Sequence, residues 1–341
     1  MTRVEEHSLE QHYASRRVLV TGANGFLGRN AVHALAALGA ELTLLDCRPP
    51  SIEIPGARCL CGDLRDGELV RRAIQGQSIV FDFAGVSGAV RSNQEPTEAL
   101  ERECNPHLSL YYTCATSKNP PVVVVCSSRL VYGPPRYLPV DEEHPLNPQS
   151  IYAVHKVTIE NYLRVFGNLH GLPFVIVRLT NPYGPHQAAE TKTHGIINMF
   201  VRQALAGQPI RIFGDGAQRR DYIYVEDVVE VFMRLAVREN CHGQVFNLGG
   251  AEPIPLCDAA EAIARLTGSP TVQYIPWPPE YRSVETGDFQ SDLSKIKGRV
   301  AFKHTPFEQG LRRTIEFYDA QLKQAVPWYP GHRSPTIQQT C

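Results

Sequence analysis

Short β-branched runs alternate with stretches of helical apolar spacing through most of the chain. Arg17-Val18-Leu19-Val20-Thr21 is a compact apolar run closed by a glycine-rich turn, and Asn30 to Leu38 then carries apolar residues at helical spacing as far as Gly39. Glu41 to Leu45 reads as a second strand with Asp46 at its end, and a third short strand precedes Asp63. Further strands are predicted over 78–83, 122–126, 174–179 and 245–248, with helices over 67–74, 97–117 and 152–169 among them. This alternation predicts βαβ units and a parallel sheet. The unbroken run Val122-Val123-Val124-Val125 belongs in an interior strand buried on both faces.

The texture changes after Asn181-Pro182-Tyr183-Gly184-Pro185, where proline, glycine and short elements dominate. The expected fold is α/β, a Rossmann-like doubly wound parallel sheet with a smaller, partly interleaved C-terminal α/β substrate-binding domain. Residues 16–180, with returning segments near 220–250, are expected to form the nucleotide-binding domain, and 181–219 with 251–325 the substrate-binding domain. Residues 1–16 are polar and read as an arm or a short helix. No repeat or low-complexity block interrupts this order.

Composition narrows the class. Hydrophobic residues make up 43% and charged ones 20% of 341 residues, ordinary values for a globular protein. A formal net charge of -1 gives no long-range field for nucleic acid or an anionic membrane, so neither is expected as a partner. The N-terminal segment carries no run resembling a signal peptide, and no later stretch approaches the ~18 apolar residues of a span. The 9 cysteines lack a Cys-x-x-Cys pair, and Cys59 and Cys61 stand at a poor spacing for zinc. Reduced, mostly buried thiols in a cytoplasmic protein with no metal site are expected.

The first turn, Thr21-Gly22-Ala23-Asn24-Gly25-Phe26-Leu27-Gly28, follows a predicted strand and opens a predicted helix. In that context Gly22 permits the tight turn, Gly25 lets the backbone approach a pyrophosphate, and Gly28 lets helix and strand pack closely. The helix N-terminus offers free N–H groups to the phosphates. Gly22, Asn24, Gly25, Phe26, Leu27 and Gly28 are thus candidate cofactor ligands. Asp46, about 20 residues on, can accept from a ribose diol and favours NAD over NADP, with Arg48 close by. Asp63 and Leu64 suit an adenine edge, although Asp63 reads equally well as the cap of the helix containing Glu68-Leu69-Val70.

Tyr152 and Lys156 stand four apart, so a helix projects both from one face. A free tyrosine titrates near pH ~10 and is a poor base at neutrality. A neighbouring ammonium favours the phenolate and is expected to lower that value. Ser127 and Ser128 leave the C-terminal end of an interior strand, where open α/β sheets place ligands, and one of them is expected only to cap the turn.

With these pieces in order, the chain resembles the extended short-chain dehydrogenase/reductase family, in particular its NAD-dependent nucleotide-sugar epimerases and dehydratases, of UDP-glucose 4-epimerase type. The resemblance runs over roughly residues 16 to 318. It rests on Thr21–Gly28, Asp46, Asp63-Leu64, Phe83-Ala84-Gly85, Asn105, Ser127–Gly133, Tyr152–Lys156, Arg178–Pro185, Gly214-Asp215-Gly216 through Tyr222 and Asp292-Leu293-Ser294-Lys295. It implies Ser128 as the active-site hydroxyl, Tyr152 as the base, and Lys156 as its activator and a ribose ligand. Phe83, Ala84 and Gly85 would line the cofactor and Asn105 would support the site. Asn181, Asn198, Arg220 and Arg282 would contact the substrate, the two arginines clamping its diphosphate. A homodimer through the 97–117 and 152–169 helices is also implied.

Members that dehydrate the sugar carry Asp-Glu directly after the active-site hydroxyl, and decarboxylases carry Glu in the second place. Here those places hold Arg129 and Leu130, neither of which can donate a proton at neutral pH. The expected reaction is therefore 4-epimerisation of a nucleotide-diphosphate sugar, a UDP-sugar first. Tyr152 takes the O4 proton as hydride passes from C4 to NAD, the keto sugar turns, and hydride returns to its other face. Alternatives are a nucleotide-4-keto-sugar reductase using NAD(P)H and a non-catalytic NAD-binding regulator. Arg129 has two readings, recognition of a carboxylate or hydroxyl on the sugar, or a surface ion pair. His155 stands where the family commonly has Ser.

Overall fold

In the computed structural model, which describes residues 8–49, 51–86, 88–188, 195–268 and 271–324, seven short strands form one parallel sheet. They are β1 (Arg17–Thr21), β2 (Glu41–Asp46), β3 (Arg58–Cys61), β4 (Ile79–Asp82), β5 (Val122–Ser128), β6 (Phe174–Leu179) and β7 (Gln244–Leu248). Their order is β7-β6-β5-β4-β1-β2-β3, so the winding direction reverses between β1 and β4. Beyond the strand ends at such a switch point is the place where sheets of this kind bind ligands. The glycine turn after β1 and the Phe83–Gly85 segment after β4 both lie there.

Alternation in sequence becomes two cores in space. Val124, Val175 and Val177 face one side of the sheet and pack with α1 (Phe26–Ala37) and the helix Val225–Ala236 through Val32, Leu35 and Phe232. Val123, Val125 and Ile176 face the other side, against α2 (Gly67–Ile74), the helix Asn105–Ala115 and the helix Ile151–His170. An interior parallel strand covered on both faces has no polar side, hence the all-valine run. The predicted 97–117 helix is two: α3 (Pro96–Glu103) and α4 (Asn105–Ala115). Pro106 in the first turn of α4 has no N–H to continue the ladder and restrains the residue before it. The long helix α5 (Ile151–His170) begins at Ser150, whose side chain caps Ala153 N, and ends at Gly171 in the left-handed conformation.

A third apolar cluster lies outside the sheet. It joins Tyr183, Ile197, Phe200, Ile212, Leu256, Ile263 and Leu311, drawn from segments after residue 180. Of the predicted spans, residues 1–7, 50, 87, 189–194, 269–270 and 325 lie outside the described residues, and Leu9–Tyr13 forms a short helix capped by Ser8. The cysteines depart from expectation. Cys104, Cys114 and Cys241 are buried, but Cys47, Cys59 and Cys61 are exposed, because Cys59 and Cys61 lie on β3 at the open edge of the sheet. No helix among the described residues is long and apolar enough to cross a membrane.

Candidate active site

The turn after β1 has no room for side chains at two of its glycines. Gly22 sits at φ +62°, and a Cβ there would lie 2.6 Å from the Phe83 carbonyl oxygen across the switch point. A Cβ on Gly28 would lie 2.1 Å from the Gly22 carbonyl. Gly25 is the N-cap of α1 and makes no side-chain cap, so the opening N–H groups of this helix point outward from a bare backbone. Such a cradle fits a pyrophosphate. Phe26 and Leu27 open the helix, Leu27 packing against the core.

Asp46 lies almost buried at the end of β2, its carboxylate accepting from Asn24 N at 3.0 Å and Arg48 N at 3.1 Å. Asn24 does a different job from that expected of its side chain. Its amide donates to the Arg48 and Pro49 carbonyls and accepts from both Ser51 N and Oγ, so it ties the turn to the loop after β2 and leaves no side-chain atom for a ligand. Asp63 is exposed and forked to Arg65, which pulls its carboxyl below the usual range. The cap of α2 is Asp66, not Asp63. Leu64 is buried in the core beneath.

Ser128, Tyr152 and Lys156 meet at the C-terminal end of β5. Ser92 Oγ accepts from Tyr152 N and Asn93 Oδ1 from Ile151 N, pinning the start of α5. Lys156 Nζ donates to the Cys126 carbonyl at 2.9 Å and lies 5.7 Å from the Tyr152 ring centroid. Burial pushes the Tyr152 phenol above its ordinary value, opposed by Lys156 and the Ser128 hydroxyl. The expected lowering is thus outweighed by desolvation in the protein alone. For Lys156 burial pulls downward, but Tyr152, Cys126, Asp82 and Glu103 hold the ammonium above its usual value. The two serines divide their tasks. Ser127 donates to the buried Glu160 at 2.6 Å, while Ser128 faces Tyr152 and accepts from Leu130 N.

Beneath this triad lies a buried network that sequence reading missed. Asp82 accepts from Thr21 Oγ1 at 2.6 Å and from the Tyr111 hydroxyl at 2.7 Å, and its Oδ2 lies 2.6 Å from His107 Nδ1. These partners hold the Asp82 carboxyl below its usual range against the opposing effect of burial. Thr21 Oγ1 also accepts from Ala84 N, which links the glycine turn to the Phe83–Gly85 segment. Phe83 itself packs on Phe81 and Phe232. Gly85, exposed at φ +127°, stands 3.7 Å from His107 Nε2 when given a Cβ. His107 and Tyr111, four apart on α4 just after Asn105, were the signal available; Asn105 itself is exposed. His155 pairs with Glu103 of α3 at 2.9 Å, and the Glu103 charge reaches both Tyr152 and Lys156.

On the substrate side the expected residues are brought together only in part. Asn181 and Tyr222 are register partners in a two-stranded parallel pair, and Asn181 Nδ2 and the Tyr222 hydroxyl are both buried without a partner. Arg220 is buried and bonds the Gly287 carbonyl and the Glu285 carboxylate. Arg282 is exposed at the end of the helix Pro279–Arg282, its guanidinium over the Trp277 ring, so the two arginine segments converge while the guanidiniums have different seats. Asn198 is withdrawn from any ligand. It is wholly buried, donating to Gly184 O and accepting from Gly184 N, and this double bond to the backbone fixes the start of its helix. His194, just before that helix, lies outside the described residues.

A switch-point sheet, a glycine cradle and a Ser-Tyr-Lys cluster place the chain among Rossmann-like proteins with a candidate dinucleotide site. The sequence model of the NAD dependent epimerase/dehydratase family matches residues 18–249, and the chain belongs to this family. Its cofactor is NAD. The chain is 29% identical over 321 residues to a UDP-glucose 4-epimerase of Mycolicibacterium smegmatis, covering 89% of this chain and 98% of the relative. It is 26% identical over 350 residues to a dTDP-glucose 4,6-dehydratase of Streptomyces niveus, covering 94% and 96%. The UDP-glucose 4-epimerase of Thermus thermophilus, solved with NAD, superposes with a TM-score of 0.79 at 29% identity, covering 91% of this chain and 100% of that one. Members of this family are NAD-dependent nucleotide-sugar enzymes.

Proposed function

We propose that this enzyme is a nucleotide-sugar 4-epimerase. The observation that carries the reading is that neither of the two residues after Ser128 carries a carboxyl group. Arg129 and Leu130 follow it, and the two carboxylates whose charge reaches Lys156 are already committed, Asp82 to Thr21, His107 and Tyr111, and Glu103 to His155. A site that must expel a hydroxyl as water needs a proton donor there, whereas one that only removes and returns hydride does not.

Bound NAD supplies a hydride acceptor at C4 of the sugar and gives the hydride back. Gly22, Gly25 and Gly28 would seat its pyrophosphate, Asp46 its adenosine ribose, and Lys156 its nicotinamide ribose. Ser128 holds O4 of the sugar by a hydrogen bond. Tyr152 takes the O4 proton as the 4-keto sugar forms, and returns it after the sugar has turned. Lys156 stays charged and favours the phenolate against burial. Asn181 and Arg220 would hold the sugar and diphosphate, with Arg282 at the outer end; uridine is the proposed base.

We further propose the division into a nucleotide-binding unit, 16–180 with returning segments near 220–250, and a substrate-binding unit formed by 181–219 and 251–325. The exposed apolar side chains of Leu100, Leu108, Tyr112, Val154, Val165 and Leu169 on α3, α4 and α5 support a homodimer through these helices. A cytoplasmic location is part of the same reading.

The test is incubation of purified protein with UDP-, GDP- and CDP-sugars without added cofactor, with products resolved by NMR. Interconversion of a pair differing only at C4 is the expected result. Turnover that appears only with added NADPH makes the enzyme a ketoreductase instead.

A further inference from the structure

Arg129 has neither of the surroundings expected of a surface charge. It is 9% exposed, its guanidinium lies 5.0 Å from the centroid of the Phe289 ring, and Nη1 donates to Thr286 Oγ1 at 3.0 Å. Phe289 and Thr286 both belong to the segment after Arg282, far along the chain. Among the described residues no carboxylate forms an ion pair with Arg129, although Asp221 and Glu285 lie within its field. Glu285 is held by Arg220, and Asp221 Oδ2 accepts from Ser291 N while its Oδ1 is buried without a hydrogen-bond partner. A guanidinium has five N–H donors in a rigid fork, and a single hydroxyl occupies only part of that capacity.

The neighbouring groups sharpen this. Arg220, 6% exposed, is close enough to disfavour the charge on Arg129, and burial with that repulsion pulls the Arg129 guanidinium down to about 9. Asp221 and Glu285 offset part of it. The Tyr222 hydroxyl, also within the field of both arginines, is buried without a partner, as is the Nδ2 of its register partner Asn181. Buried polar groups without partners are rare, and here the donors of Arg129, Tyr222 and Asn181 outnumber the one unpartnered carboxylate oxygen, Asp221 Oδ1, so the cluster has capacity for a further acceptor.

We propose that Arg129 is a substrate-recognition residue whose guanidinium, with the Tyr222 hydroxyl beside it, binds an oxyanion of the nucleotide sugar. The oxyanion comes from one of two sources with the same chemistry, the diphosphate or a carboxylate on the sugar. Desolvated guanidinium–oxyanion bonds are short, charge-assisted and forked, so they select strongly for charge. This inference rests on the nucleotide-sugar reading of the site.

The experiment is calorimetric titration of the NAD-loaded protein with UDP, GDP, CDP and dTDP, then with a neutral-sugar and a uronate-sugar derivative of the nucleotide that binds. Arg129→Met keeps an apolar stem against Phe289 and removes the charge, and Arg129→Gln keeps a donor for Thr286. Melting temperature and bound NAD are recorded for both, so that Arg129→Gln is read if Arg129→Met is unstable. The expected result is a loss of about ten-fold or more in affinity. A loss shared by all the diphosphates assigns the anion to the diphosphate, and a loss confined to the uronate assigns it to the sugar carboxylate. Affinities within two-fold of wild type for every ligand overturn the inference and leave the nucleotide-sugar reading standing. If wild-type protein binds none of the nucleoside diphosphates, that reading falls and this inference with it.

Discussion

The Lys156 ammonium lies 5.7 Å from the centre of the Tyr152 ring while donating to the Cys126 carbonyl of β5. One helical turn thus sets a fixed positive charge beside a buried phenol, and the strand fixes where that charge sits. The phenol's ionisation is a contest between burial, which opposes it, and this ammonium, which favours it.

Tyr152→Phe removes the proton acceptor and leaves the ring in its packing. Turnover is expected to fall by about 10²–10⁴-fold. Bound NAD, quantified after release from the purified variant, should match wild type. A variant that keeps most of its activity would remove Tyr152 from the mechanism.

Lys156→Met should move the pH dependence. Tyr152 acts as a base only when ionised, so the rate climbs as pH rises toward its folded pKa, which lies above the ordinary value. Loss of the ammonium removes an influence that lowers that pKa. The rising limb of the kcat profile is therefore expected to shift to higher pH, with activity at about pH 8 clearly below wild type. An unshifted limb with reduced amplitude would assign Lys156 to cofactor binding alone.

Gly28→Ala places a methyl 2.1 Å from the Gly22 carbonyl, a backbone atom with no freedom to retreat. Turn and helix must separate, at a cost of about 3 kcal/mol or more. Thermal melting should show the loss of stability, and the purified variant should carry little NAD. A stable, NAD-loaded variant would show that the turn tolerates separation.

The exposed face of α4 and α5 predicts assembly. Tyr112 is 57% and Leu169 70% exposed, large apolar side chains left uncovered in one chain. Sedimentation of the wild-type protein is expected to give a dimer, and Tyr112→Glu combined with Leu169→Glu a monomer. Wild-type protein sedimenting as a monomer at micromolar concentration would exclude this interface.

Much of this molecule was legible from local pattern. The valine run of β5, the glycine turn and the four-residue spacing of Tyr152 and Lys156 depend on backbone geometry over a few residues, and strands or helices so encoded fall where the pattern puts them. The single 97–117 helix was misread because one proline in a first turn is compatible with both a continuing helix and a new one.

What only the tertiary structure decided involves partners distant in the chain. His107 meets Asp82 across 25 residues, and Arg129 meets Thr286 across 157. Asn24 and Asn198 looked like ligands by position, yet each has its amide filled by backbone groups from another turn. Asp46 and Arg220 carry charges whose surroundings are set by loops that pack against them. The sequence determines which chemistry each residue can perform; burial and the partners brought by folding decide which of those residues remain open to a ligand, because most buried donors and acceptors are taken up by neighbouring protein groups and the few left over, such as Asn181 Nδ2 and the Tyr222 hydroxyl, are the ones free to bind.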